Sequence, residues 1–196
     1  MFMTKLIKEI FEENEKWRNS QIKKNHDFFK KSSKKQNPKI LWIGCSDSRV
    51  IPNHITKLGL NKIFVHRNLG NLTLNNDLSF KTVLDYAINK LKIKNIIVCG
   101  HYNCGAIISA MENKNKSNKW FENILDVYNK NKKEVDSIKN IKMRMKKMVE
   151  LNVETQVNNI VNSEIYKKSI LKIEEIKVHS WVYNIDNGKI IDLNNN

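Results

Sequence analysis

The sequence predicts an α/β fold, with a mainly parallel central β-sheet flanked by helices, an N-terminal helical arm and a C-terminal hairpin-like edge. Three observations carry this. Short apolar runs, Lys39–Gly44 (KILWIG), Lys62–His66 (KIFVH) and Asn95–Cys99 (NIIVC), alternate with a helical pattern over Asp77–Leu91. None of these runs alternates cleanly between apolar and polar residues, as expected for strands covered on both faces. The Asn187-Gly188 pair separates two further β-rich segments, Ile173–Tyr183 and Lys189–Leu193, and Asn-Gly is the strongest short hairpin signal.

The elements follow in order. Residues 4–18 place Leu6, Ile7, Ile10, Phe11 and Trp17 among charges, the spacing of an amphipathic helix. We expect residues 1–31 to form a helical arm and 1–196 to form a single domain. Lys30–Pro38 reads as a polar, basic linker before the first strand. In the helix over Asp77–Leu91, the residues Leu78, Val83, Leu84, Ala87, Ile88 and Leu91 share one face, and Asp77 stands where a cap belongs. A helix is expected from near Cys104 to Met111, then a polar loop at Asn113–Lys119. Helices over Trp120–Lys130 and Met143–Val161 complete the reading.

Composition narrows the function. The net charge is +15 over 196 residues, which invites a nucleic-acid reading. The chain holds 31 Lys, 29 Asn and 25 Ile but only 4 Arg, a joint skew that points to A/T-rich coding DNA. Dedicated phosphate readers favour the arginine fork, and the lysines here are scattered over helix surfaces. We therefore expect no nucleic-acid partner. Met1–Trp17 is cut by charges and lacks the apolar stretch of a signal peptide. The longest run without formal charge, Asn95–Met111, contains His101, Asn103 and two glycines, so no membrane span is expected either. Three cysteines are too few for a secreted disulfide scaffold, and the cytoplasm is the expected compartment.

The chemistry gathers at strand ends. Cys45 follows the first strand, and His101 and Cys104 follow the third. Ligands of open α/β sheets bind outside the carboxyl ends of the strands, so neighbouring first and third strands would bring these three together. Two thiolates and one imidazole suit Zn2+, and three protein ligands leave a fourth tetrahedral position open. Cys99 sits inside an apolar strand and reads as a small buried hydrophobe. After Cys45 come Ser46-Asp47-Ser48-Arg49. Asp47 can bind the metal as a fourth ligand, or pair with Arg49 and leave that position to water. A phosphate-binding cysteine loop is excluded, because it needs five residues between Cys and Arg and here there are three.

Three blocks now carry a resemblance: Cys45-Ser-Asp-Ser-Arg49, His66-Arg-Asn-Leu-Gly-Asn71 and Cys99-Gly-His-Tyr-Asn-Cys-Gly105. In order and spacing the chain resembles the β-class carbonic anhydrases, with proteobacterial members as the nearest look-alikes. The likeness extends to Leu41–Gly44, Tyr86-Ala87, Leu151–Val157 and Val178–Tyr183. It implies zinc held by Cys45, His101 and Cys104, and Asp47 with Arg49 as a catalytic dyad. The implied reaction is reversible hydration of carbon dioxide to bicarbonate and a proton, by attack of zinc-bound hydroxide. It further implies a bicarbonate-regulated subgroup, whose non-catalytic pocket would use Trp42, Arg67 and Tyr86. In that subgroup Asp47 moves onto zinc in a closed state. Self-association as a dimer or tetramer is implied too. Two residues depart from the pattern: Asn103 stands where members often have glycine, and Ser180 interrupts a His-Gly-Trp. Two other functions fit parts of the sequence. One is a hydrolase of carbon disulfide or carbonyl sulfide on the same scaffold. The other is a structural-zinc, nucleic-acid-binding protein, which would need a closed four-ligand site.

Overall fold

The computed structural model describes residues 4–112, 118–173 and 175–195. The chain divides into two compact units, residues 1–37 and 38–196.

The first unit holds two helices, α1 (Lys5–Lys24) and α2 (Phe28–Lys34). The second straddles the end of the expected arm and the start of the expected linker, running on to Lys34. Its cause is aromatic: Phe28 and Phe29 fold back on Trp17, with edge-on ring centroids 6.4 and 5.6 Å from the indole. No residue of α1 is buried, and Leu6, Ile10 and Phe11 are exposed.

The second unit carries a five-stranded sheet of order β2-β1-β3-β4-β5. Its strands are β1 (Ile40–Cys45), β2 (Ile63–Asn68), β3 (Asn95–His101), β4 (Lys177–Asn184) and β5 (Lys189–Asp192). The first three pairings are parallel and only β4–β5 is antiparallel, so the expected fold class holds. The closing turn sits at Asn187-Gly188, with Gly188 in the left-handed region at φ 74°.

Seven helices accompany the sheet among the described residues: α3 (Pro52–Thr56), α4 (Leu78–Asp85), α5 (Gly105–Met111), α6 (Lys119–Lys130), α7 (Lys132–Ser137), α8 (Ile141–Asn162) and α9 (Glu164–Ile170). Asp77 caps α4 as expected, accepting from the N–H groups of Ser79 and Phe80. The Asp77–Leu91 helix does not stay α throughout. Tyr86–Lys90 forms a π turn in which the Leu91 N–H reaches the Tyr86 carbonyl. Of the loop expected at Asn113–Lys119, residues 113–117 lie outside the described residues, while Asn118 caps α6 by accepting from the Trp120 N–H. No described helix is long and apolar enough to cross a membrane.

The two sheet faces differ. Leu41, Ile43, Ile96 and Val98 pack into the main core with Leu84, Ile88, Ile124, Val149 and Val153. The opposite face buries a smaller cluster of Trp42, Ile97 and Cys99, against which Trp181 and Tyr183 pack. Gly44 makes room for Trp42, since a Cβ there would stand 2.5 Å from the indole nitrogen. At Gly100 the constraint is backbone approach. A Cβ would meet Val153 Cγ2 of α8 at 2.6 Å, and Val149 stands behind it. Both valines are stiff at χ1 in a helix. Gly100→Ala is therefore expected to cost about 1–3 kcal/mol by overpacking. That corresponds to a melting temperature lower by about 2–12 °C. Gly59→Ala, where a Cβ meets nothing within 4 Å, should leave the melt unchanged.

Candidate metal centre

Strands β1 and β3 are neighbours, and both deliver their last residue to the same sheet edge. Cys45 closes β1 and His101 closes β3. The chain then turns through Tyr102 and Asn103, so that Cys104 stands one residue before α5. Asn103 has φ 58°, a left-handed conformation that asparagine tolerates, and this is how the turn survives without glycine. Its amide donates to Asp186 Oδ1 at 3.2 Å.

The three side chains converge. Their ligand atoms lie within 4.8 Å of one another, and all three residues are buried. Cys45 Sγ and Cys104 Sγ are 3.8 Å apart. Two sulfurs on one tetrahedral zinc, each at about 2.3 Å, stand about 3.8 Å apart, so the spacing fits. The imidazole is prepared as well. Its Nδ1 lies 3.0 Å from the Tyr102 carbonyl, a contact only an N–H can make, so Nε2 keeps its lone pair. That Nε2 is buried without a hydrogen-bond partner. A buried, unsatisfied nitrogen beside two thiols is the arrangement a metal completes. Among the described residues no fourth Cys or His closes the group.

The thiols share a charge. Cys45 is pulled down to about 4, chiefly by the hydrogen bond from the Cys104 thiol. Cys104 moves the other way, because it supplies that hydrogen bond and is buried. A metal bound here would need both thiols deprotonated. Cys99, on the far face of β3, is pushed up by burial and stays an inert thiol.

Asp47 faces the group, with Oδ2 3.7 Å from His101 Nε2. Arg49 grips it as a fork: Nε donates to Oδ1 at 2.9 Å and Nη2 to Oδ2 at 2.7 Å. The Arg49 N–H also donates to Oδ1, at 2.9 Å. These bonds, the side-chain ones first, hold the carboxyl at about 2. Of the two arrangements open to Asp47, this structure has the arginine-paired one. Beside the group lies a cleft of about 260 Å³, lined by Cys45, Ser46, Asp47, Leu69, Ala106 and Phe121 among others. Its Leu69 and Phe121 walls suit a small apolar molecule.

The regulatory trio expected at Trp42, Arg67 and Tyr86 is only partly brought together. Trp42 is buried on the second face, and Arg67 pairs in register with Gly44 on the neighbouring strand. Arg67 donates to the Cys45 and Asp47 carbonyls at 2.9 and 2.7 Å, bracing the turn that carries the dyad. Tyr86 is half-exposed and stacks on Phe64, 5.8 Å between centroids. Phe64 packs on the main core, whereas Trp42 is buried across the sheet, so Tyr86 does not join Trp42. The tyrosine that packs on the Trp42 cluster is Tyr183 of β4. One further group escaped the sequence reading: the indole N–H of Trp120, which donates to the Leu69 carbonyl at 2.8 Å, has no signal in the spacing.

Known proteins resemble this chain over most of its length. Residues 40–190 match the protein family described as carbonic anhydrase. A carbonic anhydrase of Emericella nidulans is 40% identical over 187 residues, covering 94% of this chain and 82% of its own length. Among solved structures, a Coccomyxa β-carbonic anhydrase in complex with acetazolamide superposes with TM-score 0.91 at 36% identity, covering 97% of this chain and 87% of that one. The chain belongs to the β-class of the carbonic anhydrase family. One of two tetrameric β-carbonic anhydrases from Sordaria macrospora superposes with TM-score 0.90 at 30% identity, covering 97% and 98%. Carbonic anhydrase 1 of Escherichia coli is 29% identical, below the fungal relative, so the family membership is firm while the proteobacterial leaning gains nothing.

Proposed function

We propose that the chain catalyses reversible hydration of carbon dioxide to bicarbonate and a proton, with zinc held by Cys45, His101 and Cys104. The observation that carries this is the thiol–imidazole–thiol group with its unpartnered Nε2, beside a carboxylate already tied to arginine. When bound by these three residues, zinc would lower the pKa of a water at the open position to near neutrality. The protein's own residues do the rest. Asp47 accepts a hydrogen bond from whatever donor occupies the open position and so orients it. Arg49 keeps both Asp47 oxygens engaged, which holds the carboxylate ionised and directed. The Leu69 and Phe121 walls offer an apolar path for a small apolar substrate.

Regulation by bicarbonate is the finer reading. It is supported by Trp42 and Arg67 lying on adjacent strands, and by the Arg67 bonds to the Cys45 and Asp47 carbonyls. An anion drawing Arg67 away would release the turn and let Asp47 leave Arg49. The phenol that fits this pocket is Tyr183 rather than Tyr86. Self-association is supported by the exposed apolar residues Leu6, Ile10 and Phe11 of α1, which a second subunit would cover, and by the tetrameric relatives. Three unpaired thiols support a cytoplasmic setting. The deciding experiment is stopped-flow CO2 hydration on protein of known zinc content at moderately alkaline pH. Turnover proportional to zinc is expected; full zinc without turnover would defeat the assignment. Repeating it at lower pH with added bicarbonate is expected to depress turnover, and an unchanged rate would remove the regulatory reading.

A further inference from the structure

The cleft beside Cys45 and Asp47 is walled mainly by apolar groups, yet one hydroxyl on it has no structural task. Ser109 lies on α5 one helical turn after Gly105, and both residues line the cleft. Serine and threonine inside a helix can satisfy themselves by donating to the carbonyl one turn earlier. Ser32, Thr56, Thr82 and Thr155 do so, at 3.0, 2.7, 2.8 and 2.8 Å. Ser109 does not. It is half-buried, and its hydroxyl has no hydrogen-bond partner among the described residues.

Helix geometry aims this hydroxyl. The Cα–Cβ bonds of a helix tilt toward its N-terminus, so the Ser109 side chain leans back over the turn that begins at Gly105. A Cβ built on Gly105 would meet nothing within 4 Å. The space Ser109 leans toward is therefore open, and Cys104 is the next residue along. No other group in the cleft offers the same contact. Leu69, Ala106 and Phe121 carry no polar side-chain atom, Ser46 is exposed, and both Asp47 oxygens are engaged by Arg49.

The reaction proposed above changes the polarity of its small molecule. Carbon dioxide is apolar and suits the walls. Bicarbonate carries charge on its oxygens and stands beside the anionic Asp47, so it needs a donor. We propose that Ser109 is a specificity-determining residue whose hydroxyl donates to an oxygen of bicarbonate in the cleft. A few placed polar groups are what orient a ligand in a mostly apolar pocket, and a donor to a charged oxygen makes one of the stronger hydrogen bonds. The inference rests on the reaction and the ligand set proposed above.

The test uses the full-length chain loaded with cobalt(II) and carbon-13 bicarbonate. Relaxation of the carbon by cobalt reads only bicarbonate close to the metal, which separates it from any anion held near Trp42. Ser109→Ala puts a strong helix former at a helix position, so fold and metal content are expected to persist. Its dissociation constant for bicarbonate is expected to rise about 10-fold. Ser109→Thr, which restores a hydroxyl, is expected to recover most of the affinity. Iodide, a weak acceptor, should perturb the cobalt absorption with the same affinity in wild type and Ser109→Ala. An unchanged bicarbonate constant in Ser109→Ala overturns the inference, and so does an equal loss for bicarbonate and iodide, which would show a disturbed metal centre. Wild-type protein that takes up no cobalt would instead defeat the ligand set, and the inference with it.

Discussion

Cys104→Ser is expected to strip the zinc and with it at least 99% of CO2 hydration. The substitution is small, and the site is 2% exposed, so the fold should survive and the far-ultraviolet spectrum should be unchanged. What disappears is a soft thiolate. A serine hydroxyl does not ionise near neutral pH, so the metal would be left with two good protein ligands, Cys45 and His101. Each had been prepared for a three-ligand site, the first by hydrogen bonds and the second by the Tyr102 carbonyl. Metal analysis after dialysis against a mild chelator gives the answer. Zinc retained at one per chain with normal turnover would remove Cys104 from the ligand set. Losses of zinc and of activity that run in parallel would place it there.

The second large effect separates orientation from binding. Asp47→Asn is expected to keep zinc near one per chain and to lower turnover by about 10²–10⁴. The amide has the carboxylate's shape but only one acceptor oxygen, so it cannot satisfy both Arg49 donors and also accept from the open position. The pH dependence follows from the same fork. A carboxyl lowered to about 2 by Arg49 stays ionised throughout the usual assay range. Its contribution to stability is fully present above the ordinary carboxylate value near 3.8 and is lost only as pH falls through about 2. Any loss of wild-type activity between pH 8 and pH 6 must therefore come from another group, or from Asp47 leaving Arg49 while still charged. Removing Arg49 should lift the carboxyl back toward its ordinary value, which a titration of the metal-free variant would detect.

The metal centre was legible because its signals are local. Cys45 ends an apolar run, His101 and Cys104 end another, and both runs can only be strands of one sheet. The Asp47–Arg49 pair was legible for the same reason, since two residues of spacing suffice for the fork. Residues that act across the sheet were not. Tyr86 was drawn into the Trp42 pocket by residue type, yet it stacks on Phe64, and strand register decides which face each side chain takes. Tyr183 reaches the Trp42 cluster only because β4 pairs with β3, a pairing with no signature in either strand alone. The helix at Phe28–Lys34 was hidden by its lysines, although its aromatic pair and Trp17 were visible in the sequence. Asn152 and Gln156 read as polar positions on a helix; what they hold lies more than 80 residues away.

The placement of the ligands on the two adjacent strands β1 and β3 also sets a schedule. Between Cys45 and His101 the chain makes β2 and α4 before β3 can dock beside β1. Parallel strands cannot pair until such a crossover is complete. A chain still emerging from synthesis thus offers isolated thiols, which hold zinc weakly, and the chelating geometry is created in one step by a long-range strand pairing. Metal uptake is then a late event that follows folding of the sheet. A metal bound by this set would join the adjacent strands β1 and β3 across the crossover, acting as a removable crosslink that closes a loop of more than fifty residues. Such a link narrows the unfolded ensemble as a disulfide would, but it is made and unmade by zinc supply and acidity rather than by oxidation.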